Sequence, residues 1–283
     1  MPFRDYRGLK LDRVDFSHMN LLQYRFSDYL NDSVFTSRAE KSLIKHILAN
    51  GDACIFGGVI RDFILDRDAG VHRDVDLVIY KIDEQLEKHL HRYLVKKNRF
   101  GGYKLYINDK SYDLWTLNDT WVLRQYGKTR HSLKILPYTS FFNVNAIIFS
   151  LCYNTFHMHK KFKQSIEDRV LDIVYEGNPC PELCIIKAFQ HVNELGMCIS
   201  QKVVGYLNRW FHDVKEKLLD IQVSHFGQIR YSIEELERFA CNAEVGFACP
   251  SCSDKHINPD QKNEYFATGE FFYSECQAAS DHS

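Results

Sequence analysis

Two aspartates one residue apart, Asp74 and Asp76, lie in the run RDVDLVIY at residues 73–80. Val75, Leu77 and Ile79 alternate with Asp74, Asp76 and Val78. The two-residue period of a strand therefore puts both carboxylates on one face and an apolar set on the other. Two carboxylates side by side repel each other unless a cation lies between them. Mg²⁺ suits that place: it is a hard ion that takes a few carboxylate oxygens and completes its shell with water and substrate phosphates. The chemistry such a pair could support is metal-assisted reaction at a phosphate.

The elements that must position this pair begin upstream, where residues 53–58 read ACIFGG. A short apolar run that stops at a glycine pair predicts a buried strand, and Val59, Ile60, Phe63 and Ile64 then recur at helical spacing. Gly57 and Gly58 thus fall at a strand-to-helix turn, where outward backbone N–H groups and the helix dipole favour a phosphate. Arg61 could neutralise such a phosphate or pair with Asp62 or Asp66. Downstream, two alternating runs flank Asn108, Asp109 and Lys110 and predict a hairpin over residues 103–117. Asp113 is a lone acid on its second strand, costly to bury unless it is paired or metal-bound. Turn chemistry accounts for Asp109.

A glycine pair alone is common, and Asp-x-Asp alone often marks a solvated strand edge. Together, GGVIRD at residues 57–62 followed by RDVDLV at residues 73–78 resembles the head domain of class II CCA-adding enzymes and bacterial poly(A) polymerases. These belong to the polymerase-β-like nucleotidyltransferase superfamily. The resemblance implies an α+β fold, with a mixed sheet and flanking helices in the head followed by a small helical neck and body. It also implies a third metal-binding carboxylate on a neighbouring strand, a role that falls on Asp113. Residues 139–154 are similar to the family segment RRDFTxNA. They keep Phe142, Asn145 and Ala146, with Thr139, Ser140 and Phe141 in place of the leading charged residues; Asn145 is thereby expected to help hold nucleotide. The family's base-reading signature EDxxR falls on CPELC at residues 180–184, which lacks the acidic pair and the arginine. The resemblance covers roughly residues 37–200.

The rest of the chain supports a globular reading. Its 283 residues are 45% hydrophobic and 26% charged, enough for a sizeable core. No apolar run approaches the roughly 18 residues of a membrane helix, so a cytoplasmic protein with no membrane partner is expected. Nine cysteines, with Cys54, Cys152, Cys184 and Cys198 among apolar neighbours, suggest reduced, buried thiols. The formal net charge is −1, which argues against an all-basic surface. Three basic clusters remain: Lys96, Lys97 and Arg99, best read as a solvated face; Arg124, Lys128, Arg130 and Lys134; and Lys160, Lys161 and Lys163.

Residues 1–36 read as an irregular N-terminal extension packed on a head spanning 37–178. Ser37 and Glu40 form a capping box ahead of a stripe of Leu43, Ile44, Ile47 and Leu48, and Asp83 caps a helix carrying Leu86, Leu90, Tyr93 and Leu94. A loop is expected over residues 118–137, and a hairpin strand near Phe156. A helical neck and body then follow over 179–242, with Pro181 at a helix start, Gly196 at its end and Ser200 capping the next. Residues 243–283 form a polar tail. Cys249 and Cys252 with His256 invite zinc, but Cys276 is the only later cysteine, and spare thiols in a tail fit better.

The function expected is metal-dependent transfer of a nucleotide from an NTP to an acceptor hydroxyl. Asp74 and Asp76 would hold two Mg²⁺ ions, and Asp113 the one that activates the acceptor. By resemblance that acceptor is an RNA 3′ end, with tRNA one such RNA. Two other readings stay open. One is a silent head that binds nucleotide or RNA. The other is a transferase acting on a protein or a small molecule, as in a toxin or a defence system.

Overall fold

The structure is a computed structural model and describes residues 16–67, 74–97, 101–125 and 131–244. Its elements in chain order begin with helices α1 (Met19–Tyr29) and α2 (Arg38–Ala49), strand β1 (Ala53–Phe56), helix α3 (Gly58–Ile64) and strand β2 (Val75–Ile79). Helix α4 (Glu84–Leu90) leads to β3 (Leu94–Lys97), β4 (Tyr103–Ile107) and β5 (Lys110–Thr116). The short helices α5 (Trp121–Gln125) and α6 (Leu136–Thr139) precede β6 (Ile147–Ser150), β7 (Thr155–Met158), α7 (Lys160–Asp168) and β8 (Val170–Leu171). The remainder is α8 (Pro181–Leu195), β9 (Cys198–Ile199), α9 (Gln201–Val214), α10 (Leu218–Phe226) and α11 (Ile233–Glu244).

Seven strands form one mixed sheet in the order β3-β4-β5-β2-β1-β6-β7. All neighbours are antiparallel except β2 and β5, whose parallel pairing sets Asp76 opposite Asp113. One sheet face is apolar throughout: Ile55, Leu77, Leu105, Tyr112, Leu114 and Phe149 bury against α1 to α4 in a single core. On the other face, Cys54, Val78 and Ile148 are covered by Leu123, Leu133 and Leu136 from the α5 and α6 region, and the acidic positions stay open. A separate core joins α8, α9 and α11. Phe142 and Val144 belong to that core and Ala146 to the sheet's, so the chain passes from one to the other within a few residues.

Several local expectations hold. Ser37 and Glu40 form a reciprocal capping box, Asp83 accepts from Leu86 N–H, and Asn108 and Asp109 both take positive φ in a two-residue hairpin turn. Pro181 opens α8, Gly196 ends it with φ 61°, and Ser200 caps α9.

Others are corrected. Residues 19–34 are helical, not irregular: Leu22, Phe26, Leu30 and Val34 repeat every four residues, and a π-turn over Leu30–Val34 keeps them all on the core. Tyr93 and Leu94 do not continue α4; Leu94 opens β3, which pairs with Leu105. The segment after β5 contains α5 and α6 as well as loop. Cys54 and Cys184 are free and buried, but Cys152 is free and exposed, and Cys198 is disulfide-bonded. Apolar neighbours in sequence report burial only loosely and redox state not at all. Cys249, Cys252, His256 and Cys276 lie outside the described residues, as do Arg99, Lys128 and Arg130. No helix among the described residues is long and apolar enough to cross a membrane.

Candidate active site

β1 ends at Phe56, and the chain turns sharply into α3 through Gly57, whose φ is 66°. That angle favours glycine, and a Cβ there would lie 3.3 Å from the Asn145 carbonyl oxygen. The turn is thereby pressed against the residues preceding β6, and Gly57 N–H donates to Ile147 O at 2.9 Å. Arg61, one turn into α3, is 2% exposed. Its Nη1 donates to Asn145 Oδ1 at 2.7 Å, and its Nε to Asp62 Oδ1 at 2.9 Å. The structure therefore gathers Gly57, Gly58, Arg61 and Asn145 into one connected unit beside the end of β1. Arg61 makes the Asp62 pair left open in the sequence, and in this arrangement it orients the Asn145 amide.

The three acids come together on the open face. Asp76 sits in β2 directly across from Asp113 in β5, and Asp74 immediately precedes β2. The neighbouring strand adds a cation: Lys104 in β4 pairs in register with Asp113. Lys104 Nζ donates to Asp74 Oδ2 at 2.5 Å and to Asp113 Oδ2 at 3.1 Å. Among the described residues, no group of three or more His, Cys, Asp or Glu side chains is gathered closely enough to hold a metal ion.

The electrostatics are those of a site with surplus negative charge. Burial, followed by the charges of Asp113 and Asp74, pushes the Asp76 carboxyl up to about 8. Burial also raises Asp113, against the pull of Lys104. Asp74 moves the other way. Burial would raise it, but the Lys104 hydrogen bond, with Ser111 alongside, brings it below the usual carboxylate range. Lys104 is the lysine that hydrogen-bonds the cluster, and it reaches two of the three carboxylates, so the donor set fits one or more further cations.

The helical body supplies a second wall. Lys187 on α8 acts electrostatically on Asp76, and His225 near the end of α10 acts on Asp74. Lys187 Nζ lies 4.9 Å from the centre of the Phe226 ring and donates to Gln190 Oε1 at 3.1 Å. The Arg230 guanidinium also packs on that ring, 4.3 Å from its centre. Buried Gln222 fixes this corner, accepting from Arg230 N–H and Tyr231 N–H at 3.0 and 2.9 Å. Neither the Lys187 and Arg230 cations nor His225 carried a sequence signal, since each is an isolated residue far along the chain from the aspartates. Where the base-reading signature is missing, Cys180 and Cys184 flank the first turn of α8, and Cys184 packs on Tyr206.

Solved structures share this architecture. A tRNA nucleotidyltransferase complexed with a primer tRNA and an incoming ATP analog matches with TM-score 0.51 at 22% identity, over 72% of this chain and 60% of that one. A tRNA-processing enzyme with CTP matches with TM-score 0.50 at 21% identity, over 69% and 53%. A CCA-adding enzyme in an apo form matches with TM-score 0.51 at 16% identity, over 86% and 54%. The fold is the one those solved structures share. This chain spans between 53% and 60% of the length of those three structures. No family model and no curated protein matches it. The paired acids thus lie on the strand next to the one that ends at the glycine turn, and Lys187 and His225 of the helical body act on them.

Proposed function

We propose that the protein is a metal-dependent nucleotidyltransferase that moves a nucleotide from an NTP to an acceptor hydroxyl, with an RNA 3′ end as acceptor and release of pyrophosphate. The observation that carries this reading is the register of β2 and β5, which sets Asp76 opposite Asp113 on an open sheet face beside the glycine turn. An acid pushed up to about 8 by burial and then by neighbouring acids is a poor choice for stability and a good one for a cation.

Asp74, Asp76 and Asp113 would hold two Mg²⁺ ions. Bound there, the ions would polarise the α-phosphate, activate the acceptor hydroxyl and offset the charge of the departing pyrophosphate. The chain's own residues do the positioning. Gly57 and Gly58 let backbone approach the triphosphate without a side chain intervening, and Arg61 holds the Asn145 amide against that turn. Lys187 presents positive charge toward Asp76 from the helical body, with Arg230 on the same Phe226 ring, which suits a polyanionic substrate. Burial, followed by the Lys187 charge, brings His225 down to about 4, so it faces Asp74 as a neutral imidazole at pH 7. Catalysis on this account is orientation plus charge stabilisation. With CPELC in place of EDxxR, the identity of the incoming base is not read by an Asp and Arg pair at the start of α8.

The test is incubation of the protein with Mg²⁺, each labelled NTP in turn, and total RNA, with Asp76→Ala as control. Labelled RNA whose label maps to the 3′ end, absent with Asp76→Ala, supports the reading. Label in protein or in a small molecule keeps the transferase and overturns the RNA acceptor. No labelled product with any NTP and any of these acceptors leaves a nucleotide-binding head without transfer.

A further inference from the structure

Lys104 is the one residue in the acid cluster that the proposed chemistry does not use. Its place is set by the hairpin: with Ile107 opposite Lys110, residues three positions outward pair Lys104 with Asp113. Its side chain is 26% exposed and its ammonium bridges a carboxylate in the middle of β5 and one that immediately precedes β2. A lysine is suited to a reversible version of this contact. Its charge is compact and sits on a flexible four-carbon stem, whereas an arginine fork would lock two carboxylates in a planar pair.

We propose that Lys104 is an internal counter-ion that holds the carboxylate site together in the absence of metal and that a divalent cation must displace. Lys104 on this account is a positioning residue that sets how tightly the site takes its metal. This inference rests on the functional reading above, because it presumes that Asp74 and Asp113 take a divalent cation. A triphosphate, by drawing the released ammonium toward its own negative charge, would make displacement easier, so metal and nucleotide bind with positive coupling.

Two variants and one labelling measurement test it. Mn²⁺ binding to the nucleotide-free protein is followed by electron paramagnetic resonance of the free ion, for wild type, Lys104→Met and Lys104→Arg, each first checked for a cooperative melting transition. Removing a competing charge held this closely is expected to tighten Mn²⁺ roughly tenfold or more in Lys104→Met. Lys104→Arg is expected to weaken it, and a non-hydrolysable NTP analogue should tighten Mn²⁺ more in wild type than in Lys104→Met. In wild type itself, an amine-acylating reagent read out by peptide mass spectrometry should label Lys104 more when Mn²⁺ is added, so the test survives a variant that fails to fold. If wild type binds Mn²⁺ and Lys104→Met binds it no more tightly, or labelling of Lys104 does not rise, the counter-ion role is overturned while the metal site stands. If neither protein binds Mn²⁺, the metal reading of the site falls and this inference falls with it. Binding by Lys104→Met alone would support displacement in its strongest form.

Discussion

Two acids on opposite faces of the same sheet are treated in opposite ways. Glu40, on α2, is fully buried against the covered face, yet its carboxyl is held down to about 2. Burial alone would raise it, but hydrogen bonds from Ser37 N–H, Tyr112 Oη and the Ser37 hydroxyl, with the charge of Lys110, more than offset that. Asp76, on the open face, is pushed up to about 8 by burial and by two further acids. The residues responsible are chain neighbours: Tyr112 donates to Glu40, and Asp113 repels Asp76. One face has been given every partner an acid needs, and the other has been left short of positive charge. Alternation along a single strand thus separates what holds the protein together from what it does.

The comparison breaks at its widest point if Asp76→Ala leaves nucleotide transfer intact. Metal-borne charge stabilisation is worth several kcal/mol and each factor of ten about 1.4 kcal/mol, so transfer should fall on the order of 10³-fold while the melting transition persists. The next residue, Leu77, points into the apolar core and is 0% exposed. Leu77→Ala should cost about 2–5 kcal/mol in denaturant unfolding and lower activity only as far as folded protein is lost. A large loss of kcat in the fraction that remains folded would show that the two faces are not separable.

Glu40 sharpens the same contrast through pH. Its folded value lies below the unfolded one near 4.5, so its stabilisation is present above that value and is lost as pH falls toward about 2. Glu40→Gln should therefore be destabilised by about 1.5–3 kcal/mol at pH 7, with the gap from wild type closing across that acid window. Asp76 has the reverse sign. Without metal, the folded protein keeps the Asp76 proton up to about 8 while the unfolded chain releases it near 3.9, so stability is lost as pH rises between those values. Asp76→Asn should raise the metal-free melting temperature at pH 8, by about 2–4 °C for each kcal/mol recovered. Saturating Mg²⁺ should narrow that gain by stabilising wild type alone. A variant that melts at or below wild type without metal would mean that the open face is not short of positive charge.

The covered face and the acids were legible because strand period speaks directly: an apolar alternation of Val75, Leu77 and Ile79 with Asp74 and Asp76 on the intervening places leaves one arrangement for residues 74–79. Asp113 was legible as a charge in an apolar strand, and the glycine turn as an interruption. The N-terminal helix was missed because polar residues separate Leu22, Phe26, Leu30 and Val34, and a spacing of four throughout drifts off an ideal α-helix unless a π-turn resets it. Leu94 was assigned to a helix because it follows Leu90 by four, whereas pairing with Leu105 decides its state. Lys104 looked like any solvated lysine. Its signal lay in the two-residue turn at Asn108 and Asp109, from which its place opposite Asp113 can be counted. Lys187 and His225 come to act on the acids only through the packing of α8 and α10, and no local pattern encodes that.

The strand order has a consequence for how the molecule is made. β1 lies between β2 and β6, and β2, β4 and β5 are all complete by Thr116, whereas β6 begins at Ile147. As the chain leaves the ribosome from its N-terminus, the acid-bearing half can pair while one side of β1 still presents bare N–H and C=O groups. The partner of Gly57 at Asn145 arrives in the same late interval. Pausing of synthesis between residues 116 and 147 would hold the protein at its most aggregation-prone point, an assembled acid cluster beside an open edge.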